Sequence, residues 1–281
     1  MPAEQVLGRW SARRLVKGLR TELAKKLGLG HSADELSAAL AQRELLFRAP
    51  TLTPSLVKAI RAITPQFKLR CDETSRRVWE LSQNGSCWGE MDALEPLLHG
   101  LGRPRRVLEI GPGLGRSTVF LKRRLGWEDV PFDLFEGNGP AHRYPLLAPR
   151  SADSFRGDLE ALAAVLEHNG TREWRLIDAG PRGGRLVDLE PPYDLVYSFY
   201  GVGFHWRLED FWEEILPLLG TDGVGIFTVW HAFETFPELA RLPHGFLTIR
   251  RILAKDRPVR LLVVSPERDR VAPFVEAEPA T

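Results

Sequence analysis

The run Val107-Leu108-Glu109-Ile110-Gly111-Pro112-Gly113-Leu114-Gly115-Arg116-Ser117-Thr118 decides the fold. A short apolar stretch of strand type leads into closely spaced glycines, and a segment able to start a helix follows. Glycines at such a junction let the backbone turn sharply and come close to a ligand. In open α/β sheets the ligand crevice lies beyond the carboxyl ends of the strands. The loop therefore sits where a nucleotide-like ligand is expected.

The spacing narrows the choice of ligand. A dinucleotide fingerprint GxGxxG counted from Gly111 would place its last glycine at position 116, where Arg116 stands. The third glycine is Gly115. The phosphate loop GxxxxGK[ST] is also absent, since no Lys-Ser or Lys-Thr follows. Glu109 stands two residues before the first glycine. A carboxylate there would repel a pyrophosphate and attract a cationic ligand.

Outward from the loop, toward the C-terminus, apolar strands alternate with amphipathic helices. The pattern predicts strands at 107–110, 132–135, 174–177, 194–199 and 225–229, with helices at 116–125, 158–168 and 208–219. Such alternation means a parallel sheet covered on both faces. The last two strand-like runs, 246–253 and 259–264, are joined by a link too short for a parallel crossover, so they are expected to pair antiparallel.

Toward the N-terminus, residues 1–100 read as helical. Ala3 to Leu27 carries apolar residues at helical spacing, and Gly28-Leu29-Gly30 can stop it. Ser32 caps Ala33 to Phe47, with Glu35 completing a capping box. Pro54 opens a third helix. Asp72 to Leu81, closed by Asn84-Gly85, and Glu90 to Leu101 follow. The expected division is a helical region over 1–100, on the acceptor side or serving to form a homodimer, and a sheet domain over 101–281.

Composition sets bounds. Lys and Arg number 38 against 37 Asp and Glu, a formal net charge of +1. A protein that wraps nucleic acid carries a clear basic excess, so the balance argues against a nucleic-acid partner. Cys71 and Cys87 form no CxxC pair, and no His/Cys cluster has zinc spacing, so no metal is expected. No apolar run spans a bilayer, and a cytoplasmic location is expected. Arginine outnumbers lysine and Ala, Gly and Pro are plentiful, as in proteins from GC-rich bacterial genomes.

The loop resembles motif I of the class I S-adenosylmethionine-dependent methyltransferases, and further elements fall in that family's order. Phe132-Asp-Leu-Phe-Glu136 is a second strand ending in an acid. Ile177-Asp178-Ala179 is an acid-plus-small turn after the third. Tyr193 to Phe199 resembles the fourth strand, followed by Gly203-Phe-His205-Trp206 and Gly223 to Val229, a run similar to the core of the ubiquinone and menaquinone biosynthetic enzymes. The resemblance covers roughly residues 88–265. It implies a Rossmann-like, doubly wound α/β sheet, mostly parallel with a C-terminal antiparallel pair, and S-adenosylmethionine as cofactor, with S-adenosylhomocysteine as product.

Site roles follow from the resemblance. Glu109, Gly111, Pro112, Gly113 and Gly115 would cradle the cofactor. Glu136 would accept from the ribose hydroxyls, with Gly137 beside it. Asp178 and Ala179 would hold the adenine, and Ser198 is a further candidate for cofactor binding. His205 follows the fourth strand and is the candidate base, since histidine is the usual base near neutral pH. The same residue could equally be packed between Phe204 and Trp206. Trp88, Glu90, Tyr200, His205 and His231 are candidates to line the acceptor pocket, with the helix core as the competing role for Trp88. The expected activity is methylation of a small molecule, at a hydroxyl of a sugar or secondary metabolite. RNA or protein methylation and a non-catalytic binding protein are the alternatives. Ser198-Phe199-Tyr200-Gly201 lacks the Asn/Asp-Pro-Pro-Tyr pattern of amino methylation, which argues against base N-methylation.

Overall fold

The computed structural model describes residues 43–63, 68–138, 157–179, 185–229, 236–249 and 259–272. The first expected helix, most of the second, and His231 lie outside the described residues.

The described elements, in chain order, begin with α1 (Pro54–Ile63) and α2 (Glu73–Leu101). β1 (Val107–Ile110), α3 (Arg116–Arg124), β2 (Phe132–Glu136), α4 (Leu159–His168), β3 (Trp174–Asp178) and β4 (Tyr193–Ser198) follow. Then come α5 (Glu209–Ile215), β5 (Leu219–Val229), α6 (Pro237–Ala240), β6 (His244–Ile249), β7 (Val259–Val264) and α7 (Arg268–Val271). The strands form a 7-stranded sheet in the order β3-β2-β1-β4-β5-β7-β6. β3, β2, β1, β4 and β5 run parallel. β7 lies antiparallel to both β5 and β6, and its pairing with β6 is the one the short link requires.

Period-2 alternation divides the core between the two sheet faces. Val107, Leu195, Tyr197, Ile226 and Val263 join the cluster that includes Ile60, Phe120 and Leu162 of α1, α3 and α4. Leu108, Ile110, Val196, Phe227 and Leu262 face the other way, with Trp212 of α5 and Leu239 of α6. Glu109 falls between Leu108 and Ile110 and so points toward α3.

The structure corrects several expected boundaries. α2 is one continuous helix through Asn84-Gly85. Asn84 does not turn the chain there, because its buried amide has other partners. Its Oδ1 accepts from Phe47 N at 3.0 Å, and its Nδ2 donates to Phe47 O and Glu80 O, both at 2.8 Å. Residues 43–47, expected to end the second helix, are not helical. They run as a strap whose backbone is satisfied by side chains from the helices beneath. Trp88 Nε1 donates to Glu44 O, Arg123 to Leu46 O, and Asn169 pairs with both N and O of Arg48. Buried main-chain groups must be paired, and here buried side-chain amides substitute for a neighbouring strand. α5 stops at Ile215 and continues as a 3₁₀ turn over Leu216–Leu218, since Pro217 has no N–H to extend an α-helix. β5 begins at Leu219, ahead of the expected Gly225, with the register against β4 shifting between Tyr193 and Leu195.

Candidate functional site

The carboxyl ends of β1, β2 and β4 meet around the glycine loop. Gly115 caps α3 with φ +72 in the left-handed region, which disfavours residues with a side chain. A Cβ on Gly115 would lie 2.7 Å from Leu166 Cδ2 and 2.9 Å from Leu162 Cδ1, so α4 packs directly on this corner. Gly111 and Gly113 also have positive φ, and Gly111 N donates to Phe135 O at 2.9 Å, tying the loop to β2. Pro112 between them is buried.

Glu136 ends β2 and is buried. Its Oε2 accepts from Gly113 N at 2.9 Å, and its Oε1 from Gly137 N at 3.0 Å and Gly157 N at 3.1 Å. Burial raises its pKa from 4.5 to about 7, outweighing the three backbone donors that favour the anion. The neighbouring Glu109 pushes in the same direction. A Cβ on Gly157 would stand 2.3 Å from Glu136 Cγ, so the cradle closes only around glycine. β3 ends alongside, in register with Glu136 at Asp178. Asp178 is exposed, and Ala179 N donates to Glu136 O at 2.7 Å.

Glu109 is held from three sides. Ser117 and Thr118 of α3 donate to its two oxygens, and the Tyr197 hydroxyl of β4 donates to Oε2 at 2.6 Å. Burial nevertheless raises its pKa. The three hydroxyl donors and the charge of Arg116 oppose that rise without cancelling it. Ser198 Oγ donates to Ile110 O at 2.7 Å and accepts from Val202 N at 2.9 Å, tying the end of β4 to that of β1.

Beyond β4 the chain makes a tight turn. Tyr200 adopts φ +63, and the N–H groups of Phe204, His205 and Trp206 all point to Gly201 O. This presents a row of aromatic rings: Tyr200 edge-on to Phe204 at 5.2 Å, Phe204 edge-on to His205 at 5.1 Å, then Trp206. His205 is half-buried, and burial lowers its pKa from 6.5, so the imidazole is neutral near pH 7. Tyr200 reaches across to α2, where its hydroxyl donates to Glu90 Oε1 at 2.7 Å.

The structure therefore brings together the glycine loop, Glu109, Glu136, Gly137, Ala179, Ser198, Tyr200 and Glu90. His205 sits on the same β4 exit. Trp88 is turned away from this group: its ring packs edge-on against Phe120 at 5.7 Å and lies between the guanidinium groups of Arg43 and Arg124. Gly157 and Arg116 are site residues that the sequence reading did not single out. Gly157 carries no local signal, and Arg116 stood out only as the residue that breaks the dinucleotide spacing. Among the described residues no group of His, Cys, Asp and Glu could hold a metal ion, and no helix is long and apolar enough to cross a membrane.

No protein-family model and no curated protein sequence matches the chain. Solved structures do match. Spermidine synthase from Thermotoga maritima is 17% identical with a TM-score of 0.45, over 66% of this chain and 62% of that one. An SAH-bound Podospora anserina methyltransferase is 14% identical with a TM-score of 0.38, over 83% of this chain and 95% of that one. An O-methyltransferase family protein from Burkholderia thailandensis is 13% identical with a TM-score of 0.41, over 69% and 60%. The match thus spans less than two thirds of the length of the Thermotoga and Burkholderia proteins. The sheet itself is the Rossmann-like α/β arrangement expected from the sequence: five parallel strands in the order β3-β2-β1-β4-β5, closed by an antiparallel β7 and β6.

Proposed function

We propose that this chain transfers a methyl group from S-adenosylmethionine to a hydroxyl of a small molecule, a sugar or a secondary metabolite. The observation that carries the reading is the Glu136 cradle. An ionised carboxylate offers about four acceptor positions. Gly113, Gly137 and Gly157 take three of them, leaving Oε2 able to accept a ribose hydroxyl beside the glycine loop. The glycines admit the ligand closely, and the buried acids Glu109 and Glu136 favour one that carries positive charge.

When bound, the cofactor supplies an electrophilic methyl group on a sulfonium. The protein's own residues do the rest. Methyl transfer is an in-line displacement, so alignment is the main requirement, and positioning can supply roughly 7–11 kcal/mol. The aromatic row from Tyr200 to Trp206 makes an apolar wall that excludes water. His205 Nδ1 or Nε2, neutral at working pH, accepts the proton that the acceptor hydroxyl loses, a contribution of about 10²–10⁴-fold.

The experiment has two arms. Isothermal titration is expected to find a single S-adenosylhomocysteine site that Glu136→Ala abolishes or weakens strongly; no binding at millimolar ligand sinks the reading. Release of S-adenosylhomocysteine is then measured across a panel of hydroxylated acceptors. His205→Ala should bind cofactor normally and lose turnover, and unchanged turnover removes the base role.

A further inference from the structure

Residues 200–206, the turn that leaves β4, read Tyr-Gly-Val-Gly-Phe-His-Trp. The turn is wedged among the ends of β1, β4 and β5. Trp206 Cζ3 lies 3.8 Å from where a Cβ on Gly111 would stand and 3.4 Å from where one on Gly201 would. Gly203 has φ +92, and a Cβ there would lie 2.9 Å from Thr228 O of β5. Gly203 N donates to Trp206 O at 2.8 Å and closes the turn. Val202 and Trp206 are buried, while Phe204 and His205 stand half-buried at the tip.

The polar groups around this tip are mostly committed. The Tyr200 hydroxyl donates to Glu90 Oε1 at 2.7 Å. Ser198 Oγ both donates and accepts. His205 differs. Its ring contacts Phe204 and Trp206, and neither ring nitrogen has a hydrogen-bond partner among the described residues. The tip therefore offers ring surface and one imidazole. A sugar carries several hydroxyls, and each one buried without a partner costs free energy. A planar ring with a single hydroxyl asks only for aromatic neighbours and one acceptor.

The strength of the base points the same way. Burial holds the His205 pKa below 6.5. A phenol, like tyrosine, ionises at about 10, whereas an aliphatic hydroxyl lies toward water, at about 15.7. Proton transfer to this imidazole is far less uphill from a phenol, and general-base help depends on that driving force.

We propose that the methyl acceptor is a phenol, with its ring packed against Phe204 and its hydroxyl on His205, and that Phe204 determines this specificity. The proposal rests on the methyl-transfer reading above. As the phenol oxygen bonds to the methyl carbon, its proton passes to a ring nitrogen of His205. The carbon–sulfur bond breaks with its electron pair going to sulfur, and the imidazolium returns the proton to solvent. The products are an aryl methyl ether and S-adenosylhomocysteine.

The test measures S-adenosylhomocysteine release by the full chain at saturating S-adenosylmethionine. The phenolic probes are 2-naphthol, catechol and 7-hydroxycoumarin. Their aliphatic counterparts are decahydro-2-naphthol, cyclohexane-1,2-diol and methyl glucoside. At least one phenol should exceed every aliphatic probe in kcat/KM by about a hundredfold or more. Phe204→Leu should raise KM for that phenol by about three- to tenfold and leave S-adenosylhomocysteine affinity unchanged. His205→Ala should lose turnover on the same phenol at pH 7 and recover toward wild type as pH rises to about 10, where the phenol ionises unaided. An aliphatic probe that matches the phenols overturns the proposal. Silence of every phenol in a protein that still binds S-adenosylhomocysteine also overturns it and spares the cofactor reading. So does a Phe204→Leu variant whose cofactor affinity falls in step with its loss on the phenol, or a His205→Ala defect that is equal at both pH values. If Phe204→Leu does not fold, the wild-type preference decides alone. Failure of wild type to bind S-adenosylhomocysteine sinks the cofactor reading, and the proposal with it.

Discussion

Glu136 couples cofactor affinity to pH, and the coupling has a definite sign and size. The carboxyl has a folded pKa of about 7 against a reference value of 4.5, because burial outweighs three backbone N–H donors. Only the ionised form offers the full acceptor capacity that a ribose hydroxyl needs. With a pKa near 7, roughly a tenth of the sites are ionised at pH 6 and nine-tenths at pH 8, so affinity for S-adenosylhomocysteine should rise by about tenfold across that interval and then level off. Stability moves the other way. Between the unfolded and folded pKa values the native state holds the additional proton. Stability that is fully present below pH 4.5 is therefore lost as pH rises through 7. The shift corresponds to about 3 kcal/mol. Glu136→Gln removes the titration and puts an amide N–H₂ against one of the backbone donors. Denaturant melts at several pH values should show the wild-type stability falling by that amount relative to the variant. Titration calorimetry at pH 6, 7 and 8 should give a rising wild-type affinity and a weaker, flat one for the variant. A wild-type affinity that is constant over this range, or an equal slope in Glu136→Gln, refutes the reasoning.

Three further substitutions probe the frame around the site. Gly157→Ala drives a Cβ to within 2.3 Å of Glu136 Cγ, so it should weaken S-adenosylhomocysteine binding by about tenfold or more and cost about 1–3 kcal/mol in a denaturant melt. Gly115→Ala adds a left-handed backbone cost of about 1–2 kcal/mol to contact with Leu162 and Leu166, and a lowered melting temperature measures it. Asn84→Ala strands the N–H and C=O of Phe47, both buried in the strap, and should cost about 2–4 kcal/mol in urea unfolding, while a loss near zero would mean that the strap contributes nothing to stability.

Much of the fold was legible in local pattern. Val107 to Ile110 ending in glycine, the alternation of later strands and helices, and the short link before Val259 each depend on residues adjacent in sequence. Periodicity and turn chemistry report such features directly. For the same reason the loop at 111–115 and the acid closing β2 were readable as candidate site residues. Asn84-Gly85 misled because its turn chemistry is a local tendency, overridden once Phe47, 37 residues away, gave the amide a buried partner. The strap over residues 43–50 was hidden for the same reason, since its partners come from three different helices.

The sequence by itself determined that a strand, a glycine loop and a helix would form at 107–124, and that a carboxylate would stand at the end of the next strand. Only the tertiary structure decided what those groups face. It set Gly157 against Glu136, 21 residues on, and Glu90 against Arg116, 26 residues on, through packing of helices onto the sheet. Backbone preferences act over a turn or two of chain, whereas burial and charge pairing act between whichever residues the packed elements bring together.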